Sequence, residues 1–253
     1  MKYAVIMYNF NGYEIMRDVP DNALNPEIEY IYITDDNNLK AKNWKIVIDH
    51  DLDGLSPFDK CYRVRFNLFK YTKAEIVLYV DGSLQILNDP IRYFKKFEDS
   101  GKDVGLMVHP WRVAMYDEYR EWCISRGYPS ECAHKCLEYM LSNGYDIRGY
   151  KGLYQLTMRI VRNMEKNQRL DDRTFEVLKE LGNDGIIERI DQTIYSYLLN
   201  TEFKDMSIYI FNDNCIHNNI LVWNPHGKIA PGFNNNQNRL GYVRDALVPV
   251  DIL

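Results

Sequence analysis

Ile76-Val77-Leu78-Tyr79-Val80 is an unbroken apolar run that stops at Asp81-Gly82-Ser83, and it restricts the possible folds of this chain more than any other segment. A strand wetted on one face alternates apolar and polar residues. Five apolar residues in succession suit a strand covered on both faces, as in a mainly parallel sheet with helices on either side. Such sheets bind their ligands at the carboxyl ends of the strands, where Asp81 would stand. If the chain stays extended past Gly82, then Asp81, Ser83 and Gln85 share one face. The alternative is an ordinary Asp-Gly turn.

The first half of the chain supports the same class, because strand-like and helix-like segments alternate along it. Strands are expected at Tyr3 to Tyr8, Ile28 to Thr34, Lys45 to Ile48 and Asp103 to His109. Helices are expected at Phe58 to Thr72, from Pro90 through Phe97, at Met115 to Arg126 and at Glu131 to Asn143. Further on, Leu153, Leu156, Ile160 and Met164 stripe one predicted helix, and Ile187, Ile190, Ile194 and Leu198 another. From Asn212 the chain turns rich in Asn, Gly and Pro, with one short apolar piece at Ile220 to Trp223. This divides the chain into a domain over 1–211 and a loop-rich tail over 212–253 that is expected to pack on or near the cleft.

With 253 residues, 46% of them hydrophobic, the chain has ample material for a large α/β core. A net charge of -5 without a long Lys/Arg block excludes a protein built to grip nucleic acid. No apolar stretch is long enough to span a bilayer. The amino terminus runs into a strand-like segment and reaches Asn9 and Asn11-Gly12 before a signal-peptide core develops. Five cysteines, an odd and sparse set, suit a reducing compartment. The expected location is therefore cytoplasmic, with a peripheral place at the membrane also open. Cys132, His134 and Cys136 invite a zinc reading, but on a helix His134 points away from the two thiols, and inert buried thiols account for them better.

Several polar residues sit where chemistry is expected. Thr34-Asp35-Asp36 closes the second strand at the same sheet edge as Asp81, where a carboxylate can accept hydrogen bonds from a ribose or a base; a solvated turn is the plain alternative. Arg63, Asn67 and Lys70 read as a solvated helix face. Arg65 lies at the border of the apolar stripe and needs an anionic partner, either a diphosphate or a structural carboxylate such as Asp51 or Asp53. His109 and Arg112 follow a strand and are candidates for substrate binding. Asp191-Gln192 sits beside a buried stripe, where the pair can hold sugar hydroxyls or act as a general base; a plain helix-surface aspartate is the alternative.

Together these segments resemble the glycosyltransferase-like family known from plant mucilage-related and turgor-related proteins, whose fold is akin to that of the GT-A nucleotide-diphospho-sugar transferases. The similarity spans about Tyr30 to Leu199. It is carried by Val80-Asp81-Gly82-Ser83-Leu84-Gln85 with Asp89-Pro90, by His109 with Arg112 and Tyr116-Asp117-Glu118, by Leu153-Tyr154 with Arg162, and by Asp191-Gln192. The resemblance implies a GT-A-like, Rossmann-type mixed sheet flanked by helices. It also implies that Asp81 takes the place of the first carboxylate of an Asp-x-Asp motif, which holds a divalent ion against the donor. Ser83 stands where the second carboxylate is expected, and a hydroxyl is the poorer ligand for a hard cation. A tail histidine, His217 or His226, would complete a manganese or magnesium site, or Arg65 would neutralise the diphosphate unaided. Relatives also carry Arg directly before the Asp-Gln pair, whereas here Ile190 stands there and Arg189 is displaced by about 100° around a helix.

The resulting expectation is a hexosyltransferase-type glycosyltransferase that moves a sugar from a nucleotide-diphosphate donor to a hydroxyl of a glycan or glycolipid. Asp35, Asp36, Arg65, Asp81, Gly82 and Ser83 would bind the donor, and His109 and Arg112 the acceptor. Asp191 and Gln192 would be catalytic, and Asp81 with His217 would hold the metal. A non-catalytic nucleotide-sugar or glycan-binding domain of the same fold is the alternative. A hydrolase acting through His109 or His217 finds no Gly-x-Ser-x-Gly elbow or His-Glu-x-x-His pair in the sequence to support it.

Overall fold

The computed structural model describes residues 1–110, 112, 114–121, 131–148, 152–182, 190–211 and 218–224, with backbone only at 131 and 132. Seven strands form one sheet in the order β3-β2-β1-β4-β7-β6-β8. They are β1 (Tyr3–Asn9), β2 (Ile28–Thr34), β3 (Lys45–Ile48), β4 (Ile76–Val80), β6 (Val104–Val108), β7 (Tyr154–Arg162) and β8 (Ile208–Phe211). Among the seven only β7 runs antiparallel to its neighbours. The carboxyl ends of β1, β2 and β4 therefore lie along one edge.

Strand alternation divides the apolar residues between two cores. Ala4, Ile6, Val77 and Tyr79 point to one face, where they meet α1 (Pro57–Arg65), α3 (Met115–Arg120), α4 (Glu131–Ser142), α5 (Glu165–Glu180) and α6 (Asp191–Asn200). Tyr3, Val5, Ile76, Leu78 and Val80 point to the other face, toward α2 (Ile91–Ser100) and the ribbon of β5 (Leu84–Ile86) with β9 (Leu221–Trp223). All five residues of β4 are buried, which is why its sequence shows no polar alternation. Asp81 follows Tyr79 by two residues and so belongs to the face that carries α1 and α6.

Three expectations are corrected. The helix expected through Thr72 ends at Arg65 and is followed by a separate 3₁₀ turn, Leu68–Lys70. Residues 154–162 form strand β7 and not a helix. Leu153, Leu156, Ile160 and Met164 have helical spacing, but Leu156, Met158 and Ile160 also alternate as a buried sheet face, and the slot between β4 and β6 decides in favour of the strand. Beyond Gly82 the chain turns instead of staying extended: Leu84 N donates to Asp81 O, and β5 leaves to pair with β9. Gln85 consequently bonds Asn224 and is not aligned with Asp81. The helices α2, α3 and α4 lie where they are expected, although residues 122–130 are outside the described set. Among the described residues no helix is long and apolar enough to cross a membrane.

Candidate active site

Helix α1 begins with Pro57 behind the cap Ser56, whose Oγ accepts from Asp59 N at 3.1 Å. At its other end Arg159, fully buried on β7, donates Nη2 to the carbonyl of Arg65. Carbonyls in the last turn of a helix lack an intrahelical partner, so this bond satisfies one of them where the helix stops. Arg159 is itself fixed by Asp171 of α5, with Nη1 and Nη2 at 2.6 and 2.9 Å from the two carboxylate oxygens.

The Arg65 side chain is thereby delivered between two acids. Nη1 donates to Asp191 Oδ2, Nη2 donates to Tyr79 OH at 3.0 Å, and Nη2 lies 3.4 Å from Asp81 Oδ2. The rings of Tyr8 and Tyr79 flank the guanidinium at 5.7 and 5.2 Å. Burial by itself opposes the charge, but Tyr79, Tyr8, Asp191 and Asp81 together hold the Arg65 pKa well above its ordinary value. Its Nε is buried without a hydrogen-bond partner. The expected structural partners for Arg65 are corrected here, because Asp51 pairs with Lys70 and Asp53 with His50.

Asp81 Oδ1 accepts from Ser83 N at 3.0 Å and from Ser83 Oγ at 2.9 Å, so the serine folds back onto the aspartate. Gly82 has to be small. A Cβ there would lie 3.1 Å from Tyr8 O and 3.2 Å from Glu14 Cγ, since the loop after β1 crosses directly over the turn. That loop is closed by Asn9, whose side chain donates to Glu14 O and accepts from Glu14 N. Cys61, one helical turn before Arg65, is a thiol that burial pushes up to about 12, so it stays protonated.

Asp35 lies on the same sheet edge, and both its oxygens are engaged: Lys60 Nζ at 2.8 Å and Asn11 N at 2.9 Å. Burial raises its proton affinity, but Lys60 and Asn11 more than offset this, and the carboxyl is held below the usual range. Asp36 is exposed and closes a turn by accepting from Asn38 N at 2.9 Å.

On the far side of Asp191, Gln192 donates Nε2 to Glu118 Oε1, and Arg112 donates Nη1 to Glu118 Oε2. Glu118, on α3, is 1% exposed. It therefore joins two residues singled out in the sequence, and only its place beside Tyr116-Asp117 in the resemblance hinted at it. His109 is buried, and its backbone N donates to Leu153 O at 2.8 Å. Burial first, and the Arg112 charge second, lower the His109 pKa to about 3. Arg65, Asp81, Ser83 and Asp191 thus form one contiguous cluster. Gln192, Glu118 and Arg112 form a second, and the two meet at the first turn of α6. His217 and His226 lie outside the described residues.

A divalent ion fits the described donors poorly. Asp81 already accepts from Ser83 on one oxygen and faces Arg65 with the other, and Ser83 contributes only a hydroxyl. Among the described residues no group of three or more His, Cys, Asp or Glu is placed to hold a metal. Of the Cys132-His134-Cys136 segment, Cys136 is buried in the core and the His134 ring bonds Tyr119 OH, while the Cys132 side chain lies outside the described set.

No protein-family model matches the sequence, and no curated protein is significantly similar to it. The plant-type family suggested by the motifs is therefore not established. Among solved structures, the galactosyltransferase LgtC in complex with donor and acceptor sugar analogs superposes with a TM-score of 0.52 at 11% identity, covering 98% of this chain and 97% of that one. An active-site glutamine-to-glutamate variant of LgtC gives 0.52 at 12% identity with the same coverage. Mouse xyloside xylosyltransferase 1 in its apo form gives 0.46 at 10% identity, covering 83% of this chain and 85% of that one. With its mainly parallel seven-stranded sheet between two helical layers, the chain has the GT-A glycosyltransferase fold.

Proposed function

We propose that the protein is a glycosyltransferase that takes a sugar from a nucleotide-diphosphate donor and attaches it to a hydroxyl of a glycan or glycolipid, as a hexosyltransferase. The observation that carries this reading is Arg65, a mostly buried guanidinium held at the ligand edge of the sheet between Asp81 and Asp191. The fold and the motif resemblance to the plant-type family support it, as does the neighbour LgtC, which binds donor and acceptor sugar analogs.

Transfer breaks the bond between the anomeric carbon and the diphosphate oxygen and forms one to the acceptor oxygen, so the protein has to stabilise the departing anion and orient the acceptor. Arg65 is the cation for the first task. Its contact with Asp81 is long, at 3.4 Å, so diphosphate oxygens displace Asp81 from Nη2 more readily than they displace Asp191 from Nη1. Arg65, Asp81 and Asp191 together carry one net negative charge. The notion that Arg65 neutralises the diphosphate unaided therefore gives way to one in which Arg65 orients it. Asp81, Gly82 and Ser83 shape the floor of the donor site. Asp35 holds the loop after β1 against the nucleoside, with Asp36 at its rim. Asp191 and Gln192 face the transferred sugar, and His109 and Arg112 line the acceptor side. Of the tail, the described residues 218–224 lie beside Ser83: β9 pairs with β5, and Asn224 N donates to Ser83 O at 2.8 Å.

The test is incubation with a panel of nucleotide sugars and simple glycan acceptors, following nucleotide release, alongside thermal shifts with the same ligands. One donor class should be turned over. Ligand-induced stabilisation without any release would favour the non-catalytic binding reading, which the serine at position 83 also accommodates.

A further inference from the structure

The hydrogen bond between Glu118 and Gln192 determines which atom of the amide a ligand can meet. Glu118 is almost completely buried, and the Arg112 guanidinium on its Oε2 compensates its charge, so its other oxygen can only accept. Gln192 must therefore turn its NH₂ toward Glu118. The amide oxygen is left on the other edge, and among the described residues it has no hydrogen-bond partner. Gln192 sits in the first turn of α6 directly after Asp191, which holds Arg65. The orientation chosen by Glu118 is thus imposed one residue away from the group that faces the donor.

We propose that Glu118 is a positioning residue that locks the Gln192 amide with its carbonyl oxygen toward the substrate, so that the site offers a hydrogen-bond acceptor and selects a hydroxyl at that point of the sugar. The inference rests on the transferase reading and deepens it. Neither Glu118 nor Arg112 needs to touch substrate for this role. Arg112 serves by occupying the Glu118 Oε2, which leaves Oε1 to accept from Gln192.

Exchanging the two partners provides the test. Glu118→Gln allows the amide to flip and should lower kcat/KM about 10- to 100-fold. Gln192→Glu sets two carboxylates against each other and should do at least as much harm. The double variant E118Q/Q192E restores the bond with its polarity reversed and still presents a carboxylate oxygen outward, so it should recover at least about tenfold of the loss in Q192E. Should E118Q not fold, Q192E alone still decides the matter. A carboxylate facing Glu118 should share a proton with it, so the activity of Q192E should rise as pH falls through the 5–8 range while wild type shows no such inflection. Wild type that turns over a nucleotide sugar, with no rescue in the double variant and no new inflection in Q192E, removes the role assigned to Glu118. Wild type that turns over no nucleotide sugar removes the transferase reading itself and the role with it.

Discussion

Arg159 donates to the main-chain carbonyl of Arg65, so a fully buried cation on the sheet caps the helix that presents the Arg65 guanidinium to Asp81 and Asp191. The same arginine is clamped by both oxygens of Asp171. A line of contacts thus runs from α5 through β7 to the end of α1 and on to Asp191 and Asp81. Where α1 stops, and hence where the Arg65 side chain emerges, depends on a residue 94 positions away in the chain.

Arg159→Met should destabilise the protein by about 3–5 kcal/mol, because it leaves Asp171 buried without its cation. Urea melts should show this. Pairing the change with Asp171→Leu should recover much of the loss, since removing both charges avoids the unpaired carboxylate. A single variant as stable as wild type would mean that the pair carries no structural weight.

Arg65→Lys should abolish stabilisation by nucleotide diphosphates while costing stability as well. An ammonium on a flexible stem does not reproduce the planar fork that reaches Asp191, Tyr79 and Asp81 together. Asp81→Ala should also weaken the ligand-induced rise in melting temperature, through linkage of binding to unfolding. Unchanged thermal shifts in both variants would place the donor elsewhere.

Manganese alone, without nucleotide, should not shift the melting temperature of the protein. The described donors at the site are the Asp81 carboxylate, already engaged by Ser83 and Arg65, the Asp191 carboxylate, held by Arg65, and the Ser83 hydroxyl. A manganese-induced shift that disappears in Asp81→Ala would contradict this reading of the donor set.

His109 contributes a defined pH dependence. Its pKa falls from an ordinary 6.5 to about 3 in the folded protein, because burial and then Arg112 oppose its protonation. The unfolded chain therefore binds the extra proton first. The contribution is fully present above pH 6.5 and is lost as pH falls from there toward 3, with a slope of about 1.4 kcal/mol per pH unit. Between pH 6 and 4.5, His109→Gln should lose stability less steeply than wild type in urea melts. Parallel slopes would show that the imidazole is free to protonate in the native state.

Gly105→Ala should cost about 1–3 kcal/mol. A Cβ there would lie 2.4 Å from Ile160 Cγ2 and 3.0 Å from Phe211 Cε2 in the packed interior between β6, β7 and β8. Thermal melts of this variant report on the fold, away from the site. A melting temperature equal to that of wild type would mean that the layer between those strands is looser than the distances indicate.

Local pattern alone located much of this protein. The doubly covered strand Ile76–Val80, the parallel strands before it and the acidic residues at their ends were legible because burial on two faces removes polar alternation, and because such strands end where ligands bind. The singling out of Arg65 also rested on local spacing, since a charge at the border of an apolar stripe calls for a partner. Its partners, however, were not legible: Asp81 and Asp191 approach it only because β4, α1 and α6 pack on one face of the sheet. Leu153, Leu156, Ile160 and Met164 carried helical spacing while Leu156, Met158 and Ile160 carried strand spacing, and the place between β4 and β6 chose between them. Glu118 shows the limit most clearly. Nothing in its neighbours along the chain distinguishes it from a surface acid of a charged helix; α3 and α6 bury it against Gln192 and Arg112. Periodicity and turn chemistry are properties of adjacent residues and can be read from sequence, whereas the pairing of distant charges depends on which elements share a face, and packing alone decides that.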